Sequence, residues 1–485
     1  MDALPRFPAG FLWGTATSAY QIEGAVAEDG RAPSIWDVFC AEPGRIRNGD
    51  TGETACDHYH RWREDVALMA GLGVGAYRFS VAWPRVQPAG RGPANPAGLD
   101  FYDRLVDALA EHGIQPVLTL YHWDLPQALQ DGGGWMNRDT AHRFAEYAAL
   151  VADRLGDRVP TWITLNEPFV HMTEGYGLGT HAPGQALLLD ALPAAHHLLL
   201  GHGLAVPVLR ERTAGRIAIT NNYSPVRAAT GAPADRAAAT AFDALQNRLF
   251  TDPVLLGRLP DLTAYGLGGD PADLPFVRDG DLRTISAPID RLGVNYYSPT
   301  QVAAPRDAAG APEAQRPEAG EPEAGEPEAG ASVLGEVGDR LDGAGLPFRD
   351  VPIEGHPSTA FGWPVVPEGL REMLVLLRDR YGDALPPILV TENGCSARDE
   401  PGRPDDERIA YLDGHLRALH RAIEEDGVDV RGYFVWSLLD NFEWAEGYAQ
   451  RFGLVHVDFA TGARTPKASY HWLRRQLEAQ RVPAR

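Results

Sequence analysis

Short apolar segments that end in polar or aromatic residues recur along this chain. Each is followed by a longer stretch whose apolar residues fall three and four apart. The first four segments are "FLWGTATSAYQIEG" (11–24), "VGAYRFSVAW" (74–83), "PVLTLYHWD" (116–124) and "TWITLNEP" (161–168). "RIAITNN" (216–222), "DRLGVNYYS" (290–298), "PILVTENG" (387–394) and "RGYFVWSLLD" (431–440) continue the series. These segments predict strands, and runs such as "DFYDRLVDALAEHG" (100–113) and "TAHRFAEYAALVADRLGD" (140–157) predict amphipathic helices. Strands alternating with helices imply parallel pairing through right-handed crossovers. Eight such units predict an α/β chain, a single (β/α)8 barrel with long βα loops in which residues 1–485 form one domain. Periodicity alone leaves a doubly wound sheet open.

One segment breaks the pattern. "PEAGEPEAGEPEAG" (317–330) repeats every five residues and contains no large apolar side chain. Proline and glycine disfavour regular structure there, and the glutamates repel one another. Residues 303–335 therefore read as a disordered insertion between the sixth and seventh strands, a tolerated surface expansion rather than a lid.

The formal net charge of −22 changes the list of partners. A phosphate surface would be repelled overall, so neither nucleic acid nor an anionic membrane is expected. No basic stretch followed by an apolar one opens the chain, and no apolar run approaches about 18 residues, so no membrane span is expected. Cys40, Cys56 and Cys395 are odd in number and form no CxxC pair, which suits reduced thiols and a cytoplasmic location. A homo-oligomer stays open. The three histidines of "AAHHLLLGHG" (194–203) lie on an apolar helical pattern without a carboxylate or cysteine at ligand spacing. No GxxxxGK loop occurs, and neither metal nor cofactor is expected.

In a closed barrel the loops after the strand ends converge on one face. The groups found there are Gln21; Arg78; His122 and Trp123; Asn166 and Glu167; Asn295 and Tyr297; Glu392 and Asn393; and Trp436, with Glu443 and Trp444 beyond the eighth strand. Aromatic faces, amides and a pair of carboxylates in one pocket match the needs of a sugar whose glycosidic bond is to be cut. Glu392 would lie near Arg78 and Tyr297, a cation and a phenol that favour a carboxylate nucleophile. Glu167 has no cationic neighbour in sequence and suits the group that rests protonated, a general acid. Taken singly these signals are weaker. Glu167 could be a helix-start carboxylate, "TENG" a turn with Gly394 as its permissive residue, and His122 or Trp123 part of a core.

The motifs "YRFSVAWPR", "YHWDLPQAL", "GGWMNRDTAHRFAEYA", "WITLNEP", "GVNYYSP", "TENG" and "GYFVWSLLDNFEWAEGY" occur in this order. With them the chain resembles the β-glucosidases of glycoside hydrolase family 1 over nearly its whole length, 303–335 excepted. The resemblance implies a TIM barrel that hydrolyses β-glucosides with retention of configuration. It implies Glu167 as acid/base and Glu392 as nucleophile. Gln21, His122, Trp123, Asn166, Glu443 and Trp444 would bind the glycone over a Trp436 platform. Asn295 and Tyr297 would support the nucleophile, and Trp363 would line the aglycone side. Phe169 stands where many relatives carry Trp, so aglycone preference does not transfer. Relatives that cleave 6-phosphoglycosides hold the phosphate with Ser, Lys and Tyr, and Glu443, Gln450 and Phe452 stand here instead. Glu167 argues against the thioglucosidase branch, and the presence of both glutamates argues against a carbohydrate-binding barrel without activity. A β-galactosidase, β-fucosidase or transglycosidase on the same scaffold stays open.

Overall fold

The computed structural model describes residues 3–268, 270, 274–306, 345–398 and 404–481. Eight parallel strands close into a barrel: β1 (Leu12–Ala16), β2 (Ala76–Ser80), β3 (Gln115–Tyr121), β4 (Thr161–Asn166), β5 (Arg216–Asn222), β6 (Arg291–Asn295), β7 (Ile388–Asn393) and β8 (Val430–Trp436). Each pairs with its neighbours in sequence, and β8 closes on β1 with Trp436 opposite Ala16. Closure decides against the doubly wound alternative, which would leave two open sheet edges.

The first predicted segment, 11–24, is not one strand. β1 stops at Ala16, and a single helical turn, Ala19–Ile22, follows and carries Gln21. Hydroxyls set that turn. Ser80 Oγ accepts from the Ala19 N–H at 2.7 Å, and Ser18 Oγ donates to Gln21 Oε1 at 2.6 Å.

Two apolar layers result. Inside the barrel lie Ala16, Ala76, Val117, Ile163 and Ala218, with Phe434 filling the space these small residues leave. Gly14 belongs to the same fit, because a Cβ there would lie 2.3 Å from the Phe434 ring. Outside the barrel the helices bury their apolar stripes, and Trp62 and Trp83 are buried there. The helix Leu192–Arg210 corrects the expectation that no stretch could span a membrane. With the preceding turn it is long and apolar enough by length and composition, although 78% of its apolar stretch is buried inside this protein. Its histidines point to separate partners: His196 to Asp281, His197 to the Trp135 carbonyl and His202 to Thr164.

Two small sheets lie outside the barrel. Val226–Ala228, Thr300–Ala303 and Arg349–Asp350 form one, and Val455–Val457 with Arg464–Pro466 form a hairpin. The insertion read as 303–335 therefore begins inside a strand, since Ala303 pairs with Arg349. Residues 307–335 of it lie outside the described residues.

Gly394 follows β7 for a reason the sequence does not reveal. It is not among the residues with positive φ. Instead, a Cβ there would lie 1.7 Å from the Trp436 carbonyl oxygen. Gly394→Ala should therefore destabilise by about 1–3 kcal/mol or more, as overpacking against backbone does. Phe434→Ala, which empties the lumen, should cost about 3–5 kcal/mol. Chemical denaturation of the two variants beside the parent checks both.

Candidate active site

Glu167 directly follows β4, Glu392 is the next-to-last residue of β7, and β2 supplies what connects them. Arg78, on β2, is buried beneath the pair. Its Nη1 donates to Glu392 Oε1 at 2.5 Å and to the Thr391 carbonyl at 3.2 Å. Its Nη2 donates to Asn166 Oδ1 at 2.6 Å, and its Nε to Thr119 Oγ1 at 3.2 Å. Tyr297 donates its phenol to the other oxygen of Glu392 at 2.7 Å. Both oxygens of Glu392 thus accept hydrogen bonds, one from a cation.

Glu167 has a different surrounding. Burial and then the negative charge of Glu392 push its carboxyl well above the ordinary range, against the weaker pull of Asn295 and Arg78. Asn295 Nδ2 donates to Glu167 Oε1 at 2.7 Å and to Asn166 Oδ1 at 3.1 Å. This corrects the expected role of Asn295, whose side chain serves Glu167 rather than Glu392. Thr391 Oγ1 donates to Asn295 Oδ1 at 2.7 Å, which turns the amide nitrogen toward β4.

Other groups are held in fixed protonation states. Burial and the Arg78 charge keep His122 well below the usual histidine range, so its ring is neutral. His122 Nε2 meets Asn166 Nδ2 at 3.1 Å, and its Nδ1 has no partner among the described residues. Burial, followed by Glu392, raises the Tyr297 phenol far above 10 and keeps it a donor. The protein packed around Glu443, then Glu392 and Glu446, pushes that carboxyl up to about 8.

The aromatic wall forms around these groups. The His122 ring stacks between Trp436, at 5.8 Å, and Trp444, at 5.9 Å. Trp123 lies 4.7 Å from Trp444 and donates Nε1–H to the Asn166 carbonyl at 2.9 Å. Gln21 Nε2 donates to Asn441 Oδ1, the Phe442 carbonyl and Glu443 Oε2 at 3.1, 2.9 and 3.4 Å. Trp363 packs on Phe361 at 4.4 Å and on Tyr297 at 5.4 Å, bordering the carboxylate pair from the other side. Phe169 is buried against Phe250 at 6.0 Å. The structure adds Tyr20 and Trp36, whose rings back Trp444 at 6.3 and 4.5 Å. Tyr20 stands beside Gln21 in a segment that reads as a strand, and Trp36 follows Ser34 and Ile35; a lone aromatic in such a run reads as core, and only the fold brings either ring to Trp444. It also adds Asn441 and Thr391, which act on other side chains rather than on the pocket.

Three of these residues hold left-handed backbone: Trp123 (φ 76°), Glu167 (φ 46°) and Trp444 (φ 51°). Bulky L-residues avoid that region unless the surroundings impose it. Among the described residues, no group of three His, Cys, Asp or Glu could hold a metal. The pocket combines a protonated carboxyl with one that accepts from a guanidinium. Such a pair can donate a proton to a leaving oxygen and attack the carbon it leaves.

Known proteins resemble this chain over nearly its whole length. The model of glycosyl hydrolase family 1 matches residues 4–481. The thermostable beta-glucosidase B of Thermobispora bispora is 49% identical over 96% of this chain and 90% of its own length. A bifunctional beta-D-glucosidase/beta-D-fucosidase of Bifidobacterium breve is 46% identical over 97% of each chain. Among solved structures, a psychrophilic beta-glucosidase from Micrococcus antarcticus superposes with a TM-score of 0.87 at 47% identity, covering 99% of this chain and 100% of that one. A match across nearly the whole chain, with the glutamates at the ends of β4 and β7 around a buried arginine, places the protein: it belongs to glycosyl hydrolase family 1.

Proposed function

We propose that the chain is a retaining β-glucosidase that removes terminal non-reducing β-D-glucosyl residues from β-glucosides or cello-oligosaccharides. The observation that carries this reading is the unequal setting of the two glutamates. Glu392, held by Arg78 and Tyr297, attacks the anomeric carbon as a carboxylate. Glu167, held protonated by burial, gives its proton to the departing glycosidic oxygen. The bond to the aglycone breaks as the ester to Glu392 forms. Glu167, now ionised, takes a proton from water, whose oxygen displaces Glu392 from the opposite face. Two inversions leave the β-anomer.

His122, Asn166, Gln21, Glu443, Trp123 and Trp444 bind the glycone, Trp436 underlies it, and Trp363 meets the aglycone. Arg78 and Tyr297 hold the nucleophile. Glu443 stands where a serine would hold the phosphate of a 6-phosphorylated sugar. Pushed up to about 8, it carries little charge near neutrality. Neither Gln450 nor Phe452 offers a cation, so a phosphate dianion would lose its hydration without compensation. The Bifidobacterium breve relative, named for both glucosidase and fucosidase activities, favours β-fucosides as a second substrate. We propose that the whole chain acts as one catalytic domain.

A panel of nitrophenyl β-glycosides tests the substrate, and kcat/KM should rank the glucoside or fucoside above the 6-phosphoglucoside. On the basic side, kcat/KM should fall as Glu167 loses its proton, at a pH well above the ordinary carboxyl range. Glu167→Gln should abolish that limb.

The two roles separate on leaving groups. Glu392→Ala should fail on every aryl glucoside. Glu167→Ala should show a burst and a stalled intermediate with a good leaving group, but lose roughly 10²–10⁴-fold with a poor one. Azide should rescue Glu167→Ala as the β-glycosyl azide and Glu392→Ala as the α-product. Exchange of these products between the variants would reverse the assignment.

Deletion of 317–330 should leave kcat on a small aryl glucoside within about threefold. The repeat has no large apolar side chain to bury, and the strands flanking it pair at Ala303 and Arg349.

A further inference from the structure

Lys467 is the single lysine of the chain, although lysine and arginine together number 44. It is not on the surface. Its side chain is only 7% exposed, and Nζ lies 2.7 Å from Oδ1 of Asp440, a residue with no exposed side-chain surface. Oδ1 also accepts from the Gly453 N–H at 2.9 Å, and Oδ2 from Arg451 Nη1 at 2.9 Å. Burial alone would raise the Asp440 carboxyl. Lys467, then Arg408 and Arg451, outweigh burial and hold it below the usual range. Because Oδ1 is shared with a backbone N–H, a compact ammonium fits there better than a planar guanidinium.

The position of the pair gives it a use. Asp440 begins the turn that delivers Glu443 and Trp444. The stretch from Ser437 to Asp440 lies along the C-terminal segment. Leu454 N–H donates to the Ser437 carbonyl at 2.9 Å, Val455 N–H to Leu438 at 2.9 Å, and Asp440 N–H to Val455 at 3.0 Å. Gly453 permits this closeness, since a Cβ there would meet Asp440 N at 2.0 Å. The hairpin that presents Lys467 is itself fixed. Arg464 grips Asp65 with two nitrogens, at 2.9 and 3.0 Å, both side chains fully buried. From the other side, Gln21 holds Asn441, Phe442 and Glu443.

We propose that Lys467, through Asp440, is a positioning residue for glycone recognition. The pair sets the height of the 440–444 turn and thereby where the Glu443 carboxyl and the Trp444 ring meet the sugar. Neither Lys467 nor Asp440 touches the substrate. This inference rests on the reading of Glu443 as a glycone ligand.

A double-mutant cycle on kcat/KM for an aryl β-glucoside tests it, using Lys467→Met, Glu443→Ala and their combination. Lys467→Met should fold and lose roughly 10–100-fold, as displaced binding groups do. In the Glu443→Ala background the same substitution should cost less than about twofold, because the group it positions is gone. Labelling with [15Nζ]lysine gives one side-chain signal without assignment. That signal should shift or broaden in Asp440→Asn while far-UV circular dichroism shows the variant folded.

An additive cycle, or no loss in Lys467→Met, overturns the positioning role. A Glu443→Ala variant with kcat/KM within twofold of the parent overturns the reading of Glu443 instead. If Lys467→Met does not fold, Asp440→Asn/Lys467→Met removes the uncompensated charge and enters the same cycle. Failure of both to fold would make the pair a stability element and overturn the proposal.

Discussion

A guanidinium buried at the top of the barrel is the constraint on which the site depends. Arg78 is 1% exposed, and a buried charge costs several kcal/mol unless it is paired and hydrogen-bonded. Its compensation comes from three other strands: Thr119 on β3, Asn166 on β4, and Thr391 and Glu392 on β7. Only a closed barrel brings β2, β3, β4 and β7 within reach of one side chain. Folding and assembly of the site are therefore the same event. Loss of either member of the Arg78–Glu392 pair would leave a buried charge without compensation, at about 3–5 kcal/mol.

The same cation makes the two glutamates unequal. It contacts Glu392 directly but reaches Glu167 only through space, behind Asn166 and Asn295. Like charges buried in one pocket cannot both be ionised cheaply. The carboxyl that touches the cation takes the charge, and the other takes the proton. Asn295 then reports on Glu167 rather than on Glu392, and Tyr297 does the reverse. The division of labour follows from which neighbour carries the arginine.

Much of this was legible in the chain. The alternation of eight apolar segments with helical stretches points to the barrel, and the glutamates stand out as charges at the ends of apolar strands. What escaped lay where local pattern carries no direction. Asn295 was attached to the wrong glutamate, since sequence places a residue at a strand end but not which way its amide turns. "FLWGTATSAYQIEG" was read through as one strand because Thr17 and Ser18 look like strand residues until their neighbourhood on β2 is known. Gly394 looked like a turn residue, whereas its requirement is set by the Trp436 carbonyl, 42 positions away in sequence. The helix Leu192–Arg210 shows its apolar pattern in the sequence but not its full apolar length, because glycine, histidine and proline interrupt the run.

The left-handed residues show how the barrel and the site constrain each other. Each such backbone costs on the order of 1–3 kcal/mol for a bulky side chain. Glycine would remove the strain at all three positions, but it would also remove a carboxyl or an indole that the pocket needs. The surroundings hold them in place. Glu167 keeps its N–H on the Thr220 carbonyl of β5 at 2.8 Å while its φ reverses. Its backbone thus still belongs to the sheet as its carboxyl turns toward Asn295. Trp123 is tied by its indole to the Asn166 carbonyl, one residue before Glu167. Trp444 sits in a turn closed by the Glu443 N–H on the Gly447 carbonyl at 2.7 Å. At Glu167 and Trp123 a hydrogen bond to a neighbouring strand, and at Trp444 one within its own turn, offsets the local cost, and removing that bond would release the side chain before it unfolded the barrel. Function in this protein is therefore most sensitive where the backbone is least comfortable, on the three loops that leave β3, β4 and β8.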